Sequence, residues 1–150
     1  MTKNKKKPLI LLLSDDMRLH SGIATMSKEI VLHTSHKYDF IQVGAAVKHP
    51  DEGKFFDVSE SVNEEAGIDN ANVKIIPQSG YGNQQLIRNL ISTENVDAIL
   101  HFTDPRFWDW LYLLWKMRFV NTSLLCIITF GMICQTHNGT HHFMEVVIYY

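Results

Sequence analysis

Several features that give direct clues to function are absent from this sequence. It has only two cysteines, Cys126 and Cys134, which are too few for a disulfide framework. It contains neither the GxGxxG pattern of dinucleotide-binding loops nor a phosphate-binding loop with its lysine. No apolar run approaches the ~20 residues of a transmembrane helix, and the run at 9–13 is too short for a signal peptide. We therefore expect a cytoplasmic protein without an integral membrane segment.

The chain also lacks a strong net charge. Its 14 lysines and arginines against 16 aspartates and glutamates give a net charge of −2, so no nucleic-acid partner is expected. The one basic run, residues 3–7, is interpreted as a solvated, frayed terminus. The 150 residues are 45% hydrophobic and 20% charged, which is enough apolar material for one globular domain with a core.

The most informative stretch of the sequence is residues 8–30. The apolar run 9–13 stops at the polar residues 14–16, and Gly22 then opens a segment with helical periodicity. The apolar positions of that segment are Ile23, Met26, Ile30 and Val31. A buried strand, a polar loop and a helix form the start of a βαβ unit, whose loops at the carboxyl ends of parallel strands are common ligand sites.

The remaining pattern continues this alternation. Strands are predicted at 39–46, 73–76 and 96–102, and the stretch 47–71 is predicted to be a loop with a short strand near residues 55–56. Asn83 is predicted to cap a helix with its apolar face at 86, 87, 90 and 91, and a further helix is predicted at 106–114. The sequence thus predicts an α/β fold with a Rossmann-like, mostly parallel, three-layer sheet.

Three loops with candidate chemistry follow predicted strands, at 15–22, 78–83 and 101–106, and should share one sheet edge. Gly22 can let backbone N–H groups approach a phosphate, or can simply permit a turn. Ser21 is a candidate for the same site or only the helix N-cap. Arg18 and His20 can pair with an anionic ligand or be solvated surface residues. In the second loop, Tyr81 can offer a stacking ring or be part of a plain turn.

The third loop contains a histidine and a carboxylate close together. His101 ends a predicted strand and Asp104 follows three residues later. A histidine there can hydrogen-bond a sugar hydroxyl or phosphate, and the carboxylate can orient it or act as a base. The alternative is a packed structural histidine. The aromatic residues that follow are expected to form the core face of a helix: Phe107, Trp108, Trp110 and Leu111.

From Trp115 onward the sequence changes character. Only Glu145 is acidic there, and no helix or strand period is clean. One interpretation is a metal cluster of Cys134, His137, His141 and His142. The interpretation we favour is a frameshifted tail at 115–150. The shifted frame reads the last base of each codon with the first two bases of the next. By the genetic code the pair Trp115–Lys116 must then give Glu, and permitted codons elsewhere allow a strand-like YYNIWDD string. A parallel sheet without its next correct strand is then expected to expose an edge.

Three groups of residues together resemble the N-terminal half of phage and bacterial glycosyltransferases of GT-B architecture, related to glycosyl transferase group 1. They are residues 14–24, residues 101–108, and the YYNIWDD string of the shifted frame. The resemblance covers residues 8–114 directly. It implies an incomplete GT-B N-terminal domain that mainly holds the acceptor, with Gly22 near the donor phosphates and His101 and Asp104 near the transferred sugar.

The resemblance implies a fragment of an enzyme that transfers a sugar from a nucleotide-sugar to a hydroxyl acceptor. The nucleotide-sugar is a substrate, and no cofactor or metal is implied. Because the donor-binding domain of such enzymes has no counterpart in this sequence, we expect no transferase activity from the chain alone. The second hypothesis is a flavodoxin-like or receiver-like binding or signalling domain without catalysis, since Asp15 and Asp16 follow the first strand.

Overall fold

The backbone forms a single sheet of seven strands with helices against both faces. A computed structural model describes residues 6–45, 48–104, 108, 110–111, 126–133 and 143–149. The strands are β1 (Leu9–Asp15), β2 (Asp39–Ala45), β3 (Phe56–Asp57), β4 (Val73–Pro77), β5 (Ala98–Phe102), β6 (Cys126–Ile133) and β7 (Phe143–Tyr149). The helices are α1 (Gly22–Thr34), α2 (Ser59–Ala66) and α3 (Gln84–Thr93).

The strand order explains how the loops meet. The order is β3-β4-β2-β1-β5-β6-β7, with antiparallel pairing only at the outer strands β3 and β7. Counted in chain order, the five parallel strands run 3-2-1-4-5, which is a Rossmann-type order and differs from the flavodoxin order 2-1-3-4-5. The predicted α/β fold with a mostly parallel sheet is confirmed, and the architecture is compatible with a Rossmann-like fold.

The apolar run of β1 supplies both cores. Because neighbouring side chains of a strand point to opposite faces, Leu11 and Leu13 pack with α3, whereas Leu12 packs on the side of α1 and α2. All three leucines are fully buried. A strand covered on both faces needs such a continuous apolar run, so β1 is central in the three-layer arrangement.

The face that helix α1 turns to the sheet coincides only in part with its predicted apolar positions. Val31 is buried and Ile30 packs against the core, whereas Met26 is 50% exposed. Ala24 and Ser27 are also buried, and a periodicity of large apolar side chains does not reveal such small residues. Ala24 and Ser27 leave room for the helix backbone to lie close to the sheet.

The stretch 47–71 is more regular than predicted. The short strand near residues 55–56 is confirmed as β3, but α2 was missed because Val62 is its one buried residue and its N-cap, Val58, makes no side-chain capping bond. Lys7 is not frayed: its ammonium lies 2.9 Å from the Asp39 carboxylate and donates to the carbonyl oxygens of Ser35 and Asn70.

The last described segments add strands that the sequence did not predict. β6 pairs in parallel with β5 from Cys126 to Phe130, and β7 pairs antiparallel with β6. The expectation that β5 would be left as an open edge was therefore wrong. The frameshift interpretation concerns the coding sequence and stays a hypothesis. The candidate metal ligands 134, 137, 141 and 142, and most of the predicted helix 106–114, lie outside the described residues.

Candidate functional site

The sheet has a topological switch point between β1 and β5. These strands are parallel neighbours, with Leu13 opposite His101 and Ser14 opposite Phe102. After β1 the chain enters α1 on one face, whereas Trp108, which follows β5, packs in the core of the opposite face. Diverging loops of this kind leave a crevice at the carboxyl ends of the strands, the usual ligand site of open α/β sheets.

The β1–α1 loop takes its shape from a buried amide in β2. Gln42 Nε2 donates to Ser14 Oγ at 2.7 Å and to the Asp15 carbonyl at 2.8 Å, and Gln42 Oε1 accepts from the Met17 N–H at 3.1 Å. Gln42 is fully buried, so these bonds satisfy polar groups that would otherwise be costly to bury. Gln42 was not predicted as a site residue, and its only signal in the sequence is a polar residue inside an apolar strand.

An ion pair between a buried carboxylate and a partly exposed guanidinium completes the loop. Arg18 Nη2 lies 2.6 Å from Asp16 Oδ2, and Arg18 Nε donates to Asp16 Oδ1 at 2.9 Å. The Asp16 side chain is 1% exposed and that of Arg18 is 40% exposed. The hydrogen bond with Asp16 raises the pKa of Arg18. The guanidinium also lies 5.5 Å from the centroid of the Phe56 ring, so Arg18, predicted to meet an anionic ligand, is held by two groups of its own chain.

The N-terminus of α1 combines a cap with open space. Ser21 Oγ accepts from the Ala24 N–H and donates to Asp15 Oδ2, both at 3.0 Å, so the predicted N-cap role is confirmed. A Cβ added at Gly22 would meet nothing within 4 Å, and Gly22 has no positive φ. Neither packing nor backbone conformation therefore requires glycine there. His20 is exposed.

His101 is buried beneath an aromatic residue. It is fully buried, and its ring centroid lies 5.4 Å from that of Trp108 in an edge-on arrangement. Burial lowers the pKa of His101 to about 4, although the nearby Asp104 charge acts in the opposite direction. The imidazole is thus neutral at pH 7 and shielded from solvent, whereas Asp104 is half-buried.

The loop between β4 and α3 packs against the same aromatic group. An added Cβ at Gly82 would lie 2.5 Å from a ring carbon of Trp108 and 3.2 Å from one of Trp110. Gly80 and Gly82 both have positive φ, at 71° and 87°, and Tyr81 between them is 36% exposed. Trp108 is fully buried, so its predicted core placement is confirmed.

The structure therefore brings the loops after β1 and β5 to adjacent strand ends and connects the loop after β4 to them through Trp108. The proposed ligand roles of Gly22, Ser21, Arg18, His20, His101 and Asp104 stay predictions. Asp57, in the antiparallel strand β3, accepts a hydrogen bond from the Ser59 N–H. Among the described residues, no helix is long and apolar enough to cross a membrane, and no cluster of three metal-ligating side chains occurs.

Comparison with known proteins found no family model, curated protein or solved structure that matches this chain.

Proposed function

We propose that this chain is the acceptor-side lobe of a glycosyltransferase that moves a sugar from a nucleotide-sugar to a hydroxyl group. The observation that best supports the proposal is the topological switch point between β1 and β5, where two of the loops that resemble this family follow adjacent strands. The alternative of a receiver-like domain has less support, because its fold requires the strand order 2-1-3-4-5.

The charges at the crevice suit an acceptor. Asp15 and Asp104 follow neighbouring strands, and Asp15 already accepts a hydroxyl hydrogen bond from Ser21. Carboxylates at these positions can accept further bonds from sugar hydroxyl groups, and Asp104 can take the proton of the attacking hydroxyl. The oxygen then bonds to the donor sugar as the nucleoside diphosphate leaves. Arg18 is neutralised by Asp16, so the charge that stabilises the diphosphate must come from elsewhere.

The test is an NMR titration of the isotope-labelled 150-residue chain with UDP-glucose, GDP-mannose and their free nucleotides. We expect amide shifts concentrated at 14–22 and 101–104. Gly22→Asp adds a carboxylate at an open position and should abolish these amide shifts. Gly22→Ala should weaken the shifts only if the ligand comes close to the backbone at this position. Shifts confined to other surfaces, or none with any nucleotide-sugar, would contradict the proposal.

The second test concerns activity. Because donor and acceptor must be held together for transfer, we expect no release of nucleoside diphosphate from the chain alone. Sequencing the coding DNA around codon 114 shows whether the frame shifts there. A product translated in the shifted frame and extended downstream should then transfer sugar, and Asp104→Asn in that product should lower kcat by roughly 10²–10⁴-fold. Transfer of sugar by the 150-residue chain would overturn the fragment hypothesis.

A further inference from the structure

The loop between β4 and α3 exposes an uncharged, polar and aromatic set of side chains. Residues 78–87 read QSGYGNQQLI and contain no acidic or basic side chain over ten positions. Ser79, Tyr81, Asn83, Gln84 and Gln85 are all exposed. The exposed side chains of the loop itself are thus amides, hydroxyls and one aromatic ring, and the nearest charge described is the Glu52 carboxylate that bonds to Ser79.

The loop is held rigidly in place at both ends. The Gln78 N–H donates to the Gly44 carbonyl at 2.8 Å, and Ser79 donates to Glu52 through its backbone N–H and its hydroxyl. At the other end Asn83 Oδ1 accepts from the Gln85 and Leu86 N–H groups and caps α3. The loop is therefore ordered before any ligand arrives, which lowers the entropic cost of binding.

The turn that carries the Tyr81 ring packs against two tryptophan rings. Gly82 lies against Trp108 and Trp110, whose ring centroids are 5.5 Å apart, and these close contacts leave no space for a Cβ. The positive φ of Gly80 and Gly82 sets the direction of the chain on both sides of Tyr81. The partly exposed phenol ring is thus presented by a tight turn beside the carboxyl edge of the sheet, next to the strand-end loops.

We propose that residues 78–85 bind a neutral saccharide ring, with Tyr81 stacked on its C–H face and the surrounding amides hydrogen-bonded to its hydroxyls. Amide side chains both donate and accept hydrogen bonds, as hydroxyl groups do, and an aromatic face covers the apolar side of a pyranose. Because residues 78–87 contain no cation and the Glu52 carboxylate lies against Ser79, the loop favours an uncharged sugar over a phosphate. This inference rests on the proposed function and assigns the acceptor saccharide to this loop.

The experiment uses the 150-residue chain and neutral methyl hexopyranosides of the gluco, galacto and manno series at millimolar concentrations. Binding is followed by saturation-transfer NMR and by tryptophan fluorescence, because Trp108 and Trp110 lie under the loop. We expect at least one glycoside to bind with an affinity that is unchanged by roughly 1 M NaCl, since no charge is involved.

Three variants localise the binding. Tyr81→Ala should raise the Kd about tenfold, the factor that corresponds to 1.4 kcal/mol, and Tyr81→Phe should restore wild-type affinity because the ring is retained. Phe55→Ala is the matched control, since Phe55 is an exposed aromatic residue, at 49%, outside the loop. A melting temperature for each variant separates lost binding from lost folding.

The inference is overturned if no glycoside binds the wild-type chain, if Tyr81→Ala and Phe55→Ala bind alike, or if binding weakens with salt. These results differ from failure of the proposed function, which is judged by nucleotide-sugar shifts at 14–22 and 101–104 and by transfer in the extended product. If residues 14–22 and 101–104 respond to nucleotide-sugar but the loop binds no saccharide, this inference is refuted. The proposed function then stands.

Discussion

Substituting alanine for Gly44 should destabilise the protein through a single contact. An added Cβ would lie 2.8 Å from Asp16 Oδ2, 2.9 Å from Asp16 Cβ and 3.0 Å from Asp16 Cγ. Asp16 is fully buried and its carboxylate holds Arg18 at 2.6 Å, so the side chain cannot retreat without weakening that ion pair. The substitution therefore forces either strain or a disturbed buried charge.

The magnitude follows from two opposing effects. Overpacking a well-filled interior costs about 1–3 kcal/mol, and partial loss of the Asp16–Arg18 bonds adds to it. Replacing a strand glycine by alanine returns about 0.5–1 kcal/mol. We expect a net loss of about 2 kcal/mol in the free energy of unfolding, which corresponds to about 4–8 °C in Tm for a chain of this size. Urea denaturation followed by circular dichroism measures it.

A double-mutant cycle tests the assigned cause. If the contact with Asp16 is responsible, Gly44→Ala combined with Asp16→Ala should cost at least about 1 kcal/mol less than the sum of the single changes. The matched control is Gly22→Ala, where a Cβ meets nothing within 4 Å and no positive φ exists, so stability should stay the same or rise by about 0.4–1 kcal/mol. Wild-type stability of Gly44→Ala, or strict additivity with Asp16→Ala, would refute the reasoning.

Three further predictions concern polar side chains with partners inside the fold. Gln42→Leu should cost about 2–4 kcal/mol in urea denaturation, because it leaves the Met17 N–H and the Ser14 hydroxyl buried without this partner; a change below ~1 kcal/mol would contradict that role. For His101, burial lowers the pKa from 6.5 to about 4, so between these pH values the imidazole is protonated in the unfolded chain and neutral in the folded chain. The contribution of His101 to stability should thus be complete above pH 6.5, and the free energy of unfolding should fall by about 3 kcal/mol toward pH 4. His101→Gln should reduce this pH dependence, and an unchanged dependence would refute the burial argument. Lys7→Ala should lower stability by about 1–2 kcal/mol, measured by thermal denaturation, because it removes the ion pair with Asp39 and two carbonyl contacts; Lys6→Ala is the control and should have no effect.

The sequence predicted the features of this fold that depend on local patterns. The apolar run of β1, the cap at Asn83 and the buried face of α3 each arise from residues a few positions apart, and the structure confirms them. Helix α2 was missed because a short polar helix with one buried residue has no detectable period. The strands β6 and β7 were missed because their sequence shows no alternation that separates them from an irregular tail.

The candidate site was less predictable, because its geometry depends on distant pairs. Gln42 meets Ser14 across 28 positions, and Gly44 is needed only because Asp16 is folded back against it. Likewise, the sequence places His101 at a strand end, where it could meet a ligand, but in the structure the ring of Trp108 packs against it and it is buried. Local sequence identified where the loops lie but not which of their side chains face each other.

The central position of β1 has a consequence for the growing chain on the ribosome. β1 pairs with β2, complete at Ala45, but its other neighbour β5 is complete only at Phe102. At 5–20 residues per second, about 3–11 s of translation separate these two events. Throughout that interval the apolar strand β1 has one side without its partner, so its early interactions depend on how fast the following 57 codons are read.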